Sequence, residues 1–213
     1  MDKSAYNNYT RLCGYLAGAP EFSHSSRGQD FYTFPLEVER LSGNVDTLNV
    51  IIRKSQLTHL EAENSEMLLV EGQLRSFNNR RGQGAKLVIT VFAKELYFCD
   101  GDFENQVFLS GTVCKEPNLR CTPMGRDICD LMLAVNRPYG RSDYLPCICW
   151  GSTARLAARC SVGTKLSLEG RIQSRKYIKV TESGAVEKTA FEVSVSEFQE
   201  LTDRDAEKLV SLV

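Results

Sequence analysis

Residues 70–76 read VEGQLRS and residues 168–174 read LEGRIQS. Both place a glycine inside an alternating apolar run, where it often marks a bulge or a tight corner of a strand. Other landmarks recur at the same spacing. Gly14 pairs with Gly111, Pro20 with Pro117, Gly28 with Gly125 and Arg40 with Arg137, all at an offset of 97, and Gly72 pairs with Gly170 at 98. Their contexts match as well, RLCGYL against FLSGTV and FPLEVER against LMLAVNR. A fixed spacing sustained over this many positions identifies one module present twice.

Each copy runs through the same elements. A β-like run (9–17; 106–114) leads to a polar loop holding Pro and Gly. A second run (30–41; 128–137), a turn (LSGN; PYGRSD) and a third run (46–53; 143–150) follow. Runs rich in Val, Ile, Leu, Phe and Tyr, bounded by Gly, Pro, Asn or Ser, read as strands. Next come short helical stretches. In SQLTHLEAEN, Ser55 is the expected N-cap, with Leu57 and Leu60 on one face; in STARLAARC, Ser152 is the expected cap and Leu156 is expected to pack inward. Two strands close each copy, and KLVITV and FEVSV within them alternate with period two, one face buried and the other wet.

Three strands, a helix and two strands in about 95 residues predict a mainly β chain of two tandem OB-fold, five-stranded Greek-key barrels, each with a short helix between its third and fourth strands. The repeated heptad is then the fourth strand of each barrel. The expected divisions are 1–100 for the first barrel, 101–201 for the second and 202–213 for a short C-terminal helix, with Thr202 as cap and Asp205 three residues on.

Composition narrows the function classes. Of 213 residues, 42% are apolar and 25% charged, with a formal net charge of −1. Near-neutrality counts mildly against a nucleic-acid binder, but local distribution matters more than the sum. No apolar run approaches the ~18 residues of a membrane span, and MDKSAYNNYT holds no apolar leader core; the expectation is a cytoplasmic protein. Among eight cysteines, Cys147 and Cys149 share a strand face, Cys13 and Cys114 lie in apolar runs, and no C-x-x-C occurs. With His24 and His59 the only histidines, reduced structural thiols are expected, with no metal and no cofactor. No compact carboxylate cluster, H-x-x-x-H or Walker-type loop supports an enzyme, and Asp127 and Asp130 read as a strand-entry pair.

Motifs in 105–201 carry a resemblance. NQVFLSGTVCKEPNLRCTPMGRDICDLMLAVNR, WGSTARLAA and VGTKLSLEGRIQSRKY resemble, in order, the opening strands, the helix entry and the fourth strand of the bacterial single-stranded DNA-binding protein family. The first copy matches that architecture but few of the motifs. The resemblance implies sequence-nonspecific binding of single-stranded DNA, in replication, recombination or repair. The chain end, TDRDAEKLVSLV, is not the flexible linker and acidic tip by which members recruit repair proteins, so recruitment by that route is not expected. The turn RPYGRSD is also shorter than the family's usual loop.

The residues support the same function on physical grounds. Bases of an open strand stack on aromatic rings at ~1–3 kcal/mol each, whatever their identity, and phosphates need cations along the same groove. Tyr139, Tyr144, Trp150 and Tyr177 fall at positions matching the family's stacking aromatics, among Arg120, Arg137, Arg141, Arg171, Arg175, Lys176 and Lys179. For a lone strand aromatic, burial in the core is the usual reading. SRKYIK and NRPYGRSDY do not suggest a sealed core, whereas ICWG leaves Trp150 open to either side. RNA is a second possible ligand, because stacking accepts either sugar. The alternative function is an OB-fold adaptor, primosome-like or regulatory, with weak or no nucleic-acid binding.

In the first copy the offset replaces Tyr139 by Ser42, Tyr144 by Thr47 and Trp150 by Arg53, and Tyr177 falls near Asn79. Stacking at these positions is therefore lost from this copy, or was never present in it. Arg75, Arg80, Arg81 and Lys86 surround Phe77, the one evident platform; this stretch either tracks a phosphate backbone or is a solvated hairpin. The second barrel is expected to bind the strand while the first assembles the particle and extends the path. A homodimer, giving four barrels, is the expected assembly.

Overall fold

The structure is a computed structural model that describes residues 7–60, 67–79, 86–138, 140–181 and 184–202. The chain divides into two compact units, one made of Tyr9–Arg75 with Ile89–Gln106, the other of Val107–Val213 with Met1–Asn8 and Ser76–Val88. Strands dominate. The first repeat forms β1 (Asn8–Leu16), β2 (Glu21–Ser26), β3 (Gln29–Glu39), β4 (Val45–Arg53), α1 (Leu57–Leu60), β5 (Met67–Asn78) and β6 (Leu87–Phe98). The second forms β7 (Glu104–Val113), β8 (Asn118–Cys121), β9 (Asp127–Arg137), β10 (Arg141–Trp150), α2 (Gly151–Ala157), β11 (Lys165–Thr181) and β12 (Gly184–Glu200).

Pairing repeats from one half to the other. β1 pairs antiparallel with β5 along Thr10–Tyr15 and bends to meet β3 at Tyr15 and Leu16. β3 pairs with β4, and β4 runs parallel to β6 at Val50–Val91 and Ile51–Phe92. In the second repeat β7 pairs with β11 and, at its end, with β9. β9 pairs with β10, and β10 runs parallel to β12 at Cys147–Val193 and Ile148–Ser194.

Alternation sets the core. In β4, Asp46, Leu48, Val50 and Ile52 point inward; in β10, Asp143, Leu145, Cys147 and Cys149 do so, each 2% exposed or less. The period-two pattern thus buries every second residue and leaves the intervening ones on the outer face. The repeated heptad also finds its explanation. A Cβ on Gly72 would stand 2.3 Å from the carbonyl oxygen of Phe92, and one on Gly170 2.3 Å from that of Ser194. At Glu169/Gly170 the β11–β12 register slips by a residue, a bulge. Only a residue without Cβ allows the two backbones to approach this closely.

Four local expectations are corrected. The polar loops after the first strand hold short strands, β2 and β8, so that each half has six strands rather than five among the described residues. Every residue of β2 and β8 is exposed, so no apolar pattern announced them. β2 is instead created by the tight turn at Arg27 (φ 50°) and Gly28 (φ 76°), whose positive φ angles match hairpin twist. Ser55 is not a cap: it lies inside a 3₁₀ turn, Lys54–Gln56, and Gln56 Oε1 accepts the Arg53 N–H at 2.9 Å. Neither does Ser152 cap, because α2 starts at Gly151 with Trp150 before it and no side-chain cap bond. Leu156 points to solvent at 55% exposure, while Ala154 and Ala157 are buried. The expected helix beyond Thr202 falls on 203–213, outside the described residues. Among the described residues no helix is long and apolar enough to cross a membrane.

Candidate nucleic-acid interface

The outer face of β8, β9, β10, β12 and β11 gathers most of the expected site. Cross-strand partners share a face, so the register places side chains directly. Arg120, Ile128 and Trp150 form one row across β8, β9 and β10. Asn118, Asp130, Ile148, Ser194 and Arg171 form the next, across all five strands. Along β10 the same face carries Tyr144, and along β11 it carries Gln173, Arg175 and Tyr177, because alternate residues share a side. Tyr144 is 50% exposed and Trp150 37%. Trp150 is therefore an outward ring, which settles its side. The Arg175 guanidinium lies 5.9 Å from the Tyr177 ring centre, within cation–π range.

The cations on this face differ in how firmly they are engaged. Arg171 is exposed and makes no ion pair among the described residues. Arg175 reaches Glu192 at only 3.4 Å; Glu192, 8% exposed, is also held by Gln173 Nε2 at 3.1 Å. Arg120 forms a two-point pair with Asp130, at 2.6 and 3.0 Å, which holds its proton more firmly than usual, the hydrogen bond being the largest cause. Both partners are more than a third exposed. Such a pair is worth only ~0–1 kcal/mol, so Arg120 can exchange Asp130 for a phosphate at little cost.

Three expected cations lie elsewhere. Arg137 and Arg141 are cross-strand partners on the inward side of the β9–β10 hairpin, the side of Asp143. Arg137 clamps that carboxylate, which is 0% exposed: Nε donates to Oδ2 at 2.5 Å and Nη2 to Oδ1. Asp143 Oδ1 also accepts the Ser76 N–H at 2.5 Å, Ser76 O accepts Arg137 Nη2 at 3.1 Å, and the Tyr144 N–H donates to Ser76 Oγ at 2.7 Å. Arg137 is a structural ion-pair partner here, with its fork already filled. Arg141 is exposed but stands on that opposite side. Lys176 also alternates away from Tyr177 and pairs with Glu187 at 3.6 Å. Tyr139, Arg80 and Arg81 lie outside the described residues, as does the side chain of Lys179.

The first repeat builds its own cluster on the corresponding face, joining the expected Arg53 and Arg75 to rings and a lysine outside the expected set. Arg53 Cζ lies 5.1 Å and Arg75 Cζ 5.9 Å from the centre of the Phe92 ring. Phe31 stands 6.0 Å from Phe92, and His24 stacks on Phe31 at 4.9 Å and 14°. Lys94, two residues along β6, loses its proton more readily than usual through partial burial and then the adjacent Arg75 and Arg53 charges. Phe77, the expected platform, is 50% exposed on β5, and Lys86 is exposed beside the backbone bond from Asn79 N–H to its carbonyl. The expectation that Phe77 is the only ring of this copy near its cations is thus corrected. Phe92 and Lys94 were findable in KLVITVFAKELYF, where Ile89, Val91 and Ala93 take the inward parity.

With this geometry in hand, known proteins give a consistent match. A family model described as the Single-strand binding protein family matches residues 104–201. Single-stranded DNA-binding protein B of Bacillus subtilis is 39% identical over 80 residues, covering 34% of this chain and 71% of that protein. Single-stranded DNA-binding protein 2 of Listeria innocua is 36% identical over 80 residues, and the chain spans half of its length. Among solved structures, the wild-type single-stranded DNA binding protein of Thermus aquaticus superposes with a TM-score of 0.72 at 23% identity, over 92% of this chain and 93% of that one. The likeness therefore extends to the fold of nearly the whole chain, including the first repeat.

Proposed function

The chain belongs to the single-strand binding protein family, and from that premise we propose that it binds single-stranded DNA without regard to sequence, in DNA replication, recombination or repair. One observation carries this reading: the outer face of β8–β12 presents Tyr144, Trp150 and Tyr177 together with Arg120, Arg171 and Arg175. Rings there accept bases of any identity, and the cations meet phosphates. The protein does this by binding alone, without a chemical step.

Each half is read as an OB-fold barrel. The pairings run β1–β3–β4–β6, and from β5 back to β1, with the matching order in the second half, and the short helix stands between the third and fourth long strands. The first barrel is read over 1–100 and the second over 101–201. The first repeat adds a chiefly electrostatic contact through Arg53, Arg75 and Lys94, with Phe77 near the end of β5 and Arg80, Arg81 and Lys86 following it in the chain. Tyr139 and Lys179 belong to the second repeat's contact. Two copies assemble as a homodimer with four barrels, in the cytoplasm on exposed DNA.

The test is titration with oligo-dT of increasing length while the fluorescence of Trp150 is followed at low and high salt. Stoichiometric quenching that weakens with salt is expected. Absence of binding at low salt would overturn the reading and leave a protein-interaction adaptor.

A further inference from the structure

The segment after β6 is laid along the outward side of β1 by three contacts. Cys99 Sγ lies 3.0 Å from Cys13 Sγ, the Phe103 ring meets Tyr15 edge-on with centres 5.3 Å apart, and Glu104 Oε2 accepts Arg11 Nε at 2.6 Å. A backbone bond from Cys99 N–H to Met67 O, 3.2 Å, fixes where this segment begins. We propose that Cys13 and Cys99 form a dithiol modification site, which takes a low-molecular-weight disulfide as oxidant and closes to an intramolecular disulfide.

The geometry needs little change. The sulfurs must approach from 3.0 Å to the ~2.05 Å of a disulfide, a movement of about 1 Å. The two thiols are also unequal in the way the reaction requires. Cys99 is partly exposed, whereas Cys13 is 2% exposed. Cys99 is thus the entry thiol: its thiolate attacks one sulfur of the small disulfide, forms a mixed disulfide and releases one small thiolate. Cys13 then attacks the Cys99 sulfur, and its proton departs with the second small thiol. In sum, two protein thiols lose two electrons and two protons, and one small disulfide becomes two small thiols. Burial, then the hydrogen bond to Cys99, pushes the Cys13 thiol up to about 12. A thiol so rarely ionised reacts only with a neighbour already in place, so it fits the second step and not the first.

No other pair among the described cysteines combines proximity with access. Cys129 and Cys149 are cross-strand partners, but both are 0% exposed. Cys121 is exposed on β8 and reacts as a single surface thiol. The second repeat lacks the site. Ser110 stands at the offset position of Cys13, and Leu201 takes the place of Cys99, as the matching backbone bonds Cys99 N–H to Met67 O and Leu201 N–H to Lys165 O show. Closure of this disulfide does not require DNA.

The experiment treats the native full-length Cys121→Ser chain with glutathione disulfide, blocks remaining thiols, digests without reduction and maps the products by mass spectrometry. Of the eight cysteines, that chain keeps seven; the titre should fall to five, a peptide should link Cys13 to Cys99, and dithiothreitol should restore the seven. Adding Cys99→Ser should abolish the linked peptide; this exposed-side replacement is the informative one, since Cys13→Ser places a hydroxyl in a buried position. Recovery of Cys13 and Cys99 both unlinked, or a cross-link between Cys129 and Cys149 instead, would overturn the proposal.

Discussion

Replacing Arg137 by alanine separates a structural cation from a DNA-binding one. The side chain supplies two strong hydrogen bonds to Asp143, a carboxylate at 0% exposure. Removing one member of a buried pair strands the other charge and costs ~3–5 kcal/mol. The Ser76 N–H, 2.5 Å from Asp143 Oδ1, remains as a partner, which places the expected loss near the lower end, about 3 kcal/mol. With a urea slope of about 1–3 kcal/mol/M, the unfolding midpoint should fall by roughly 1–3 M. Arg40→Ala should behave alike in the first repeat, where Arg40 holds the equally buried Asp46 at 2.5 and 2.6 Å. Replacing the whole pair, Arg137→Met with Asp143→Leu, should recover only part of the loss, because the buried Ser76 N–H then loses Asp143 as its acceptor. Measured on folded protein, oligo-dT affinity and its salt dependence should change little in Arg137→Ala. An unshifted urea midpoint with weaker, less salt-dependent DNA binding would refute the reasoning and return Arg137 to the phosphates.

Arg171→Ala should leave the midpoint unchanged and reduce the slope of log affinity against log salt by about 0.7, the value for one phosphate contact on a single strand; an unchanged slope would remove Arg171 from the interface. Tyr144→Ala should cost ~1–3 kcal/mol of binding with the salt slope preserved, read by the same titration. In Gly170→Ala the new Cβ would meet the Ser194 carbonyl oxygen 2.3 Å away, so thermal melting should show a loss of at least ~1–3 kcal/mol, as for overpacking. Arg53→Ala combined with Lys94→Ala should weaken binding mainly at low salt, where the first repeat's cations are least screened; equal weakening at high salt would point to a lost shape contact instead.

The repeat, the long strands and most of the outward rings were legible because each leaves a periodic trace. The offset of 97 located matching strands, and period-two burial assigned their faces. The exposed ribbons β2 and β8 left no such trace: a strand that buries nothing has no apolar parity, and only the positive-φ turns at Gly28 and Gly125 form it. The cations that lie off this face were grouped with it for a different reason. A count of arginines near tyrosines ignores parity, although Arg141 and Asp143 share theirs with the buried Leu145 and Cys147, and Lys176 differs from Tyr177 by one residue. That parity was available. What no sequence count supplies is the partner: Arg120 and Arg137 both face aspartates, and burial alone makes one pair exchangeable and the other fixed.

The same comparison explains how the two repeats diverged without losing a charged, ring-bearing face. Ile51 pairs with Phe92 in the first, and its counterpart Ile148 pairs with Ser194 in the second. Thus where the second repeat carries a ring at the end of its third long strand (Trp150) and a small residue on the last, the first carries a cation (Arg53) and a ring (Phe92). Position-by-position comparison records this as stacking lost, since Trp150 aligns with arginine. In three dimensions the ring has moved one strand across and is capped by Arg53 and Arg75. A ring covered by guanidinium groups presents charge outward, whereas Trp150, 37% exposed, leaves part of its ring open. Under the proposed function this exchange shifts the first repeat from base stacking toward phosphate attraction, so its contribution should depend more steeply on salt than the second's.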